Sequence, residues 1–360
     1  MSQNSPVSTA VIGVQSFETE FYSASFLPCG SSSSFNVLLK DTGLHVFQNE
    51  LAATLKEGQL NGEERLILQE ALRYLRARSY FAQYCYEKLS CQSCRPDFEA
   101  LARDLEDLLE SCSSKESTMA QPFSFLRAEV KFCLALCRAH STVEKLDRLE
   151  SSCSVLLVQS CFEDLKLKWK EPLPTFYKWL EAAFLQLRDK ISLLFDHNPE
   201  TKNFQELSMR RSIEQFVVKS KAQFAVLLWD SQGVLPRHGP FQVDGKSSPV
   251  KGLQGLERWP IVYAYHPEKG DSDEIVKREH GAIVSHIMLC DEALKKGGSP
   301  IFYQNPKSLM TYFFSPLDRR LTFAVVFASP GRKESDKLVT DFMASFISRQ
   351  WVLPARLSYP

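Results

Sequence analysis

The stretch FDHNPETKNF, residues 195–204, divides the chain into two halves with different sequence patterns. Before it, apolar residues recur every three or four positions, which is the spacing of amphipathic helices. After it, apolar residues run consecutively or alternate, which is typical of strands. Because the stretch is polar and Pro199 cannot continue a helix, we predict a domain boundary between Phe195 and Phe204.

The first half, residues 44–198, is predicted to be an antiparallel helical bundle. Its amphipathic segments are separated by short breaks, which favours helices that return alongside one another. The predicted helices cover 44–57 and 68–89, begin at Pro96, Pro122 and Ser141, and end with 176–194. In the helix from Ser141 we expect a single buried stripe, formed by Val143, Leu146, Leu149, Cys153, Leu156 and Leu157.

The second half, residues 204–350, is predicted to be an α+β domain. In Leu321 to Ala328 both alternating sets of side chains are apolar, so helices should cover both faces of a sheet. A hairpin turn is expected at Ser315 to Asp318, and a helix with an apolar stripe follows over 338–347. The other predicted strands are Phe224 to Trp229, Pro260 to Tyr265, Ile283 to Cys290 (with a helix as the alternative) and Leu309 to Phe314.

Three further segments are expected to lie outside these elements. Residues 1–43 are Ser-rich and weakly patterned, which predicts a flexible N-terminal segment. Residues 236–255 contain Gly, Pro and Lys and are predicted to be a long surface loop. The last ten residues, 351–360, form a C-terminal tail.

The composition argues against several classes of protein. The 43 basic and 43 acidic side chains cancel, so no overall positive field attracts nucleic acid. No apolar run reaches the roughly 18 residues of a membrane span, and the first residues do not resemble a secretory signal. These patterns predict a soluble, intracellular protein that contacts membranes only through partners.

Catalytic and metal-binding motifs are missing from the sequence. Phosphate-loop, zinc-protease and serine-hydrolase motifs are absent, and we expect no cofactor and no enzymatic activity. The ten cysteines are interpreted as reduced thiols, because Cys91 and Cys94 lack the second pair of ligands that a zinc site needs. A dispersed site that uses Cys91 or His280 remains an alternative. The run Asp271 to Glu274 is interpreted as a solvated loop, since it lacks the remaining spacing of a calcium loop.

Two basic pairs are predicted to form one small cluster around the last predicted hairpin. Arg319 and Arg320 precede the strand at 321–328, and Arg332 and Lys333 follow it. Such residues serve local capping and solubility, or they contact an acidic partner. They are the candidate partner-interface residues of the sequence.

The runs Tyr312-Phe313-Phe314 and Phe323 to Phe327, together with shorter runs in both halves of the chain, resemble a known family, the KICSTOR subunit 2 family. The resemblance covers about residues 60 to 350, in the order of the family, although the chain is shorter than typical members before residue 60 and around 236–255. It is carried by Tyr312-Phe313-Phe314, Phe323 to Phe327, Asp341 to Phe346, Arg258 to Val262, His286 to Cys290, Phe176 to Leu180, Cys85 to Leu89 and Leu101 to Leu109.

The resemblance implies a non-enzymatic scaffold with a helical domain followed by a roadblock-like or longin-like domain. Members of the family resemble components of the lysosomal KICSTOR assembly, with the kaptin, integrin-FG-GAP-repeat and giant seizure-threshold subunits as partners. That assembly recruits the GATOR-one complex to lysosomes and damps TOR complex one signalling during amino-acid starvation. A peripheral lysosomal location through partners follows. A generic trafficking or GTPase-regulating adaptor is the alternative, because fold does not determine function.

Overall fold

The fold is described from a computed structural model. The residues that it describes are 44–57, 62–85, 89, 97–111, 120–168, 175–195, 209–232, 242–243, 246–247, 255–267, 272–296, 300–306, 308–328 and 332–348. The predictions for 1–43, Cys91, Cys94, 196–203 and 351–360, and for most of 236–255, lie outside these residues.

The described chain is mixed helix and sheet, so the α+β prediction is confirmed. The helical region comprises α1 (Leu44–Glu57), α2 (Gly62–Tyr84), α3 (Phe98–Ser111), α4 (Ala120–Glu144), α5 (Arg148–Lys168) and α6 (Thr175–Phe195). The sheet region comprises α7 (Met209–Ser220), β1 (Phe224–Trp229), β2 (Gln242–Val243), β3 (Lys246–Ser247), β4 (Ile261–Tyr265), α8 (Ser272–Leu289), α9 (Asp291–Lys296), β5 (Ile301–Gln304), β6 (Thr311–Pro316), β7 (Leu321–Phe327) and α10 (Lys337–Ser348).

Helix α4 is the centre of the helical region and contacts α2, α3, α5 and α6. From Phe132 to Cys137 every side chain of this helix is buried. A helix that is apolar on all sides needs neighbours on all sides. Burial of these side chains, at about 1.5 to 3 kcal/mol for each large one, therefore holds the surrounding helices together.

One buried ion pair ties three of these helices. Arg78 of α2 pairs with Glu129 of α4, and both side chains are fully buried. The Tyr177 hydroxyl of α6 donates a hydrogen bond of 3.0 Å to Glu129 Oε1. Removing one partner of such a pair leaves a buried charge, which is far more costly than replacing both.

The break between α4 and α5 lies later than Ser141, where the sequence pattern predicted it. Helix α4 continues to Glu144, and the turn passes through Leu146, whose φ is +50°. Asp147 then accepts a 2.9 Å hydrogen bond from the amide of Glu150, which caps the start of α5. The buried stripe predicted from Ser141 onwards therefore belongs to two different helices.

Within the described residues, the main sheet has five antiparallel strands in the order β4-β1-β7-β6-β5. The prediction of a sheet covered on both faces is confirmed by β1, β6 and β7, whose residues are all buried. Leu227 and Phe323 pack on one face in a core with α7 and α10. Val226 and Phe314 pack on the other with α8 and α9.

Three predictions in this region are wrong in detail. Of the segment Ile283 to Cys290, all residues up to Leu289 form the C-terminal part of α8 rather than a strand, in agreement with the alternative prediction. The run predicted as a loop at 271–274 contributes the first turn of that helix, from Ser272. Strand β6 extends to Pro316, so the turn before β7 is formed by residues 317–320 rather than 315–318.

A single apolar core joins the helical region to one face of the sheet. It includes Leu187 and Leu194 of α6, Ile213 of α7, and Phe323 and Val325 of β7. The boundary predicted near residue 200 therefore marks a change of architecture along the chain, while the buried apolar surface is continuous across it. No helix within the described ranges is long and apolar enough to cross a membrane.

Candidate interaction surfaces

A buried ion pair fixes the β6–β7 turn to the helical region. Lys190 Nζ of α6 lies 2.6 Å from Asp318 Oδ2, and each side chain is at most 3% exposed. Asp318 Oδ1 also accepts 2.8 Å hydrogen bonds from the amides of Arg320 and Leu321. Burial favours the neutral carboxyl, yet the Lys190 charge and these bonds hold the pKa of Asp318 below its ordinary value. One carboxylate thus shapes the turn and joins the two regions.

Glu144, at the end of α4, lies beside this pair. Its burial, together with the negative charge of Asp318, raises its pKa from 4.5 to about 8. Its Oε1 atom is buried and has no hydrogen-bond partner among the described residues. The backbone carbonyl of Glu144 accepts a 3.0 Å hydrogen bond from Trp229 Nε1 of β1. Glu144 is therefore mainly neutral at pH 7 and contributes to the contact between the two regions.

His140 is a second titratable group in this junction. It is 1% exposed, and its ring stacks on Phe98 with the centroids 4.7 Å apart. Burial, and then the nearby Lys190 charge, lower the pKa of the imidazole well below 6.5. Both of its ring nitrogens are without a hydrogen-bond partner in the described part of the chain. The neutral ring acts as an aromatic packing group here.

The candidate basic residues do not form one cluster. Arg319 and Arg320 lie in the turn before β7, and Arg332 and Lys333 lie beyond its other end. Because β7 has seven residues, the two pairs are about 20 Å apart along the strand. An acidic partner that contacts one pair therefore does not necessarily contact the other.

Three of the four basic side chains make contacts within the chain. Arg319 lies 3.2 Å from Asp97, and Arg320 donates to the carbonyls of Asp230 and Gln232 at 3.0 and 2.7 Å. Arg332 pairs with Asp336 at 2.5 Å and also donates to the carbonyl of Ser220. Lys333 is exposed. These contacts support local capping, and they leave Arg319, about half exposed, as the more accessible arginine of the turn.

A groove runs beside β4, the outermost strand at one side of the sheet. It has a volume of about 390 Å³ and is lined by Arg210 and Glu214 of α7 and by residues 261–265 of β4. The Tyr263 hydroxyl lies 3.5 Å from Glu214 Oε1. Beyond β4 the described residues provide no further strand. An open strand edge of this kind can pair with an added strand.

The outer face of α5 exposes large apolar side chains. Leu149, Leu156, Leu157 and Leu167 are 68%, 65%, 50% and 85% exposed, and Cys153 is exposed between them. The prediction that 149–157 forms a buried stripe is therefore wrong. The helix packs instead through Ser151, Val158, Phe162 and Leu165, which lie on its opposite side. The helical periodicity of these apolar residues was identified correctly. The helix has two apolar faces, however, and the predicted one is the exposed face.

The residues considered for chemistry are separate from one another. His280 Nε2 makes a 2.8 Å hydrogen bond with the carbonyl of Trp259, and His286 packs against Tyr303 at 3.6 Å between centroids. Cys85, Cys133 and Cys137 are buried, whereas Cys153, which we expected to be packed, is exposed. Within the described ranges no group of three or more His, Cys, Asp or Glu residues could hold a metal ion.

Sequence reasoning missed the charged residues of the interior. Arg78 lies three residues after Leu75 on the buried stripe of α2, and Lys190 lies three residues after Leu187 on that of α6. Their positions within apolar stripes were therefore visible. Their partners, 51 and 128 residues away, were not.

No protein-family model matches the chain, and a search of curated proteins finds no match.

Proposed function

We propose that the protein is a non-enzymatic scaffold subunit of a KICSTOR-like assembly that recruits the GATOR-one complex to lysosomes and damps TOR complex one signalling during amino-acid starvation. The observation that carries the scaffold part is the row of exposed leucines on α5. Large apolar side chains that form an exposed patch are characteristic of protein interaction surfaces. The KICSTOR part rests on the ordered sequence resemblance over residues 60–350.

We further propose that the helical region is an antiparallel bundle and that the sheet region is roadblock-like. The strand order β4-β1-β7-β6-β5 supports this assignment, because the first and last helices of the region lie on one face and α8 lies on the other. Among the described residues, this sheet also has two edge strands, β4 and β5, that can pair with partners.

The proposal is tested in cells that lack the protein. During amino-acid starvation, TOR complex one should stay active, as measured by phosphorylation of its substrates, and the chain re-expressed at its endogenous level should restore inhibition. Affinity purification of that chain should recover the kaptin, integrin-FG-GAP-repeat and giant seizure-threshold subunits. A normal starvation response in the deleted cells, with none of these subunits recovered, would contradict the proposal.

A trafficking or GTPase-regulating adaptor is the second candidate. The open edge of β4 and its adjacent groove support this candidate as well as they support the KICSTOR-like scaffold, because sheet edges bind many kinds of partner. The same purification separates the two candidates: coat, tether or GTPase components in place of KICSTOR subunits would select the second.

A further inference from the structure

We propose that the outer face of α5 binds an amphipathic helix of a partner protein, one that carries leucines on its apolar side and a row of lysines or arginines beside them. This proposal names the kind of partner that the exposed face of α5 binds, and it rests on the scaffold function in requiring a protein partner. The shape and charge of α5 define the occupant, so the proposal does not depend on which assembly the protein joins.

The spacing of the exposed residues fits a helix partner. Positions 149, 153, 156, 160, 163 and 167 are separated alternately by four and three residues. This is the spacing of a seam that packs against a second helix. The seam covers about 27 Å, or five turns, which is the length of an ordinary helix-to-helix contact.

The seam is distinct from the face that packs α5 within the molecule. Val158 and Leu165 are fully buried against the neighbouring helices, whereas Leu156 and Leu167 are 65% and 85% exposed. Single exposed leucines are ordinary in soluble proteins. Leu149, Cys153, Leu156 and Leu157 form an apolar patch on one helix face, and Leu167 lies farther along the same face beyond Ser160 and Glu163. A partner would remove these side chains from water.

Acidic side chains predominate on the flank of the seam beside Leu157, while Arg148 lies on the opposite flank and Lys168 at the C-terminal end. Glu150 and Asp164 lie seven residues before and after Leu157, on the same side of the helix, and Glu163 lies within the seam. All three are exposed. They form a row of negative charge that complements lysine or arginine on a partner.

The lysines of α5 do not neutralise this acidic rim. Lys166 contacts Glu181 of α6 at 3.4 Å, and Lys168 donates to the carbonyl and hydroxyl oxygens of Ser124 in α4 at 3.1 and 2.9 Å. Both side chains thus lean toward neighbouring helices. Lys166 also approaches Glu163, but only at 3.9 Å, and both groups are substantially exposed, so the pair neutralises little of the rim.

The same charges argue against the other occupants. An anionic membrane would be repelled by the acidic rim. In a symmetric antiparallel pair of two copies, Leu149 of one α5 would meet Leu167 of the other. That register places Glu150 of one copy level with the segment between Asp164 and Lys168 of the other. Because Lys168 donates to Ser124 of its own chain, Glu150 and Asp164 are the charges that face each other, and they are alike.

Binding is tested with two synthetic 18-residue helical peptides that carry leucines at the same alternating spacing. One peptide has lysines and the other has glutamates beside the leucines. Fluorescence anisotropy with the purified full chain should show tighter binding of the lysine peptide, weakened at least about tenfold by L156S with L157S. The matched control L66S replaces a leucine of α2 that is 56% exposed and should leave binding unchanged. Charge reversal by E150K with D164K should shift the preference toward the glutamate peptide.

Equal binding of the lysine peptide to the parent chain and to the L156S/L157S chain would overturn the proposal. So would self-association in sedimentation that this double variant abolishes, because the occupant would then be a second copy. Binding of vesicles containing phosphatidylserine that the same variant abolishes would assign the face to a membrane.

The natural occupant is tested in cells with a photo-crosslinking amino acid at position 156 of the full chain. Crosslinked peptides should come from a helix with leucines and basic residues at this spacing. Crosslinks to residues 1–43 of the same chain, or to a strand, would overturn the proposal. A basic helix from a protein outside KICSTOR would support the docking site and contradict the proposed assembly. Recovery of all KICSTOR subunits by the L156S/L157S chain, without a crosslink at 156, would contradict the docking site alone.

Discussion

The junction between the two regions and the outer face of α5 reverse the usual distribution of side chains. At the junction, Lys190 and Asp318 are charged groups removed from water. On α5, Leu156 and Leu167 are apolar groups left in water. The comparison shows that burial of a side chain in this protein depends on whether the chain supplies a suitable partner for it. A charge is buried where its counter-charge is supplied by the same chain, and a leucine is exposed where no described residue covers it.

The largest expected effect is at the junction. K190M leaves the buried carboxylate of Asp318 without its counter-charge, so we expect the free energy of unfolding to fall by about 3 to 5 kcal/mol. Urea unfolding of the full chain, followed by circular dichroism, measures this change. The added substitution D318N should recover part of it, because an amide oxygen still accepts the hydrogen bonds from Arg320 and Leu321.

The matched control for this prediction is K166M. Lys166 forms ion pairs with Glu163 and Glu181, but its side chain is 36% exposed, so its loss should cost less than about 1 kcal/mol. Similar losses for the two lysine variants would contradict the conclusion that the junction pair is structural.

A second prediction concerns pH. Glu144 has a folded pKa raised from 4.5 to about 8, so the stability that it contributes is greatest below pH 4.5 and is lost as pH rises toward 8. His140 has a lowered folded pKa, so its contribution is present above pH 6.5 and is lost as pH falls below it. Between pH 4.5 and 6.5, a rise in pH therefore lowers the free energy of unfolding through Glu144 and raises it through His140.

Above pH 6.5, of these two groups only Glu144 still makes the free energy of unfolding depend on pH. We therefore expect the free energy of unfolding to fall by about 2 kcal/mol between pH 6.5 and 8, at no more than about 1.4 kcal/mol per pH unit. Urea unfolding at several pH values measures the slope, and E144Q should make the profile flat over this interval. A parent profile that is as flat here as that of E144Q would show that Glu144 is already ionised in the folded protein.

The two arginines of the β6–β7 turn should differ in their contribution to the free energy of unfolding. Arg320 donates to two backbone carbonyls, so R320A should lower the free energy of unfolding by about 1 to 3 kcal/mol. Arg319 makes an exposed pair with Asp97, and R319A should cost less than about 1 kcal/mol. Thermal unfolding compares the two. An equal loss would mean that the carbonyl contacts of Arg320 contribute nothing beyond an exposed charge.

The smallest stability effect is expected on α5. L156S with L157S should change the free energy of unfolding by no more than about 0.5 kcal/mol for each residue, because both side chains are largely in water. The neighbouring V158S should cost at least about 2 kcal/mol, since Val158 is fully buried. A large loss in the leucine variant would show that these side chains are covered within the chain itself.

Helical periodicity revealed much of the fold but was ambiguous in short windows. The strands at Phe224 to Trp229 and Leu321 to Phe327 were predicted because their apolar runs are bounded by turn residues. The run Ile283 to Cys290 is also apolar, yet it is helical, and the helical spacing of Val276, Ile283 and Ile287 becomes visible only over a longer stretch. Eight residues do not separate a buried strand from part of a helix.

The sequence by itself determined the α+β class and the position of most elements, because local periodicity and turn residues act over short distances. Only the tertiary structure decided which buried charges pair, since Lys190 and Asp318 are 128 positions apart and the apolar stripe around Lys190 does not indicate its partner. It also decided which apolar stripe faces water. A stripe on α5 specifies that one face of a helix prefers an apolar neighbour, and only the packing of the whole chain determines whether that neighbour lies within the same molecule.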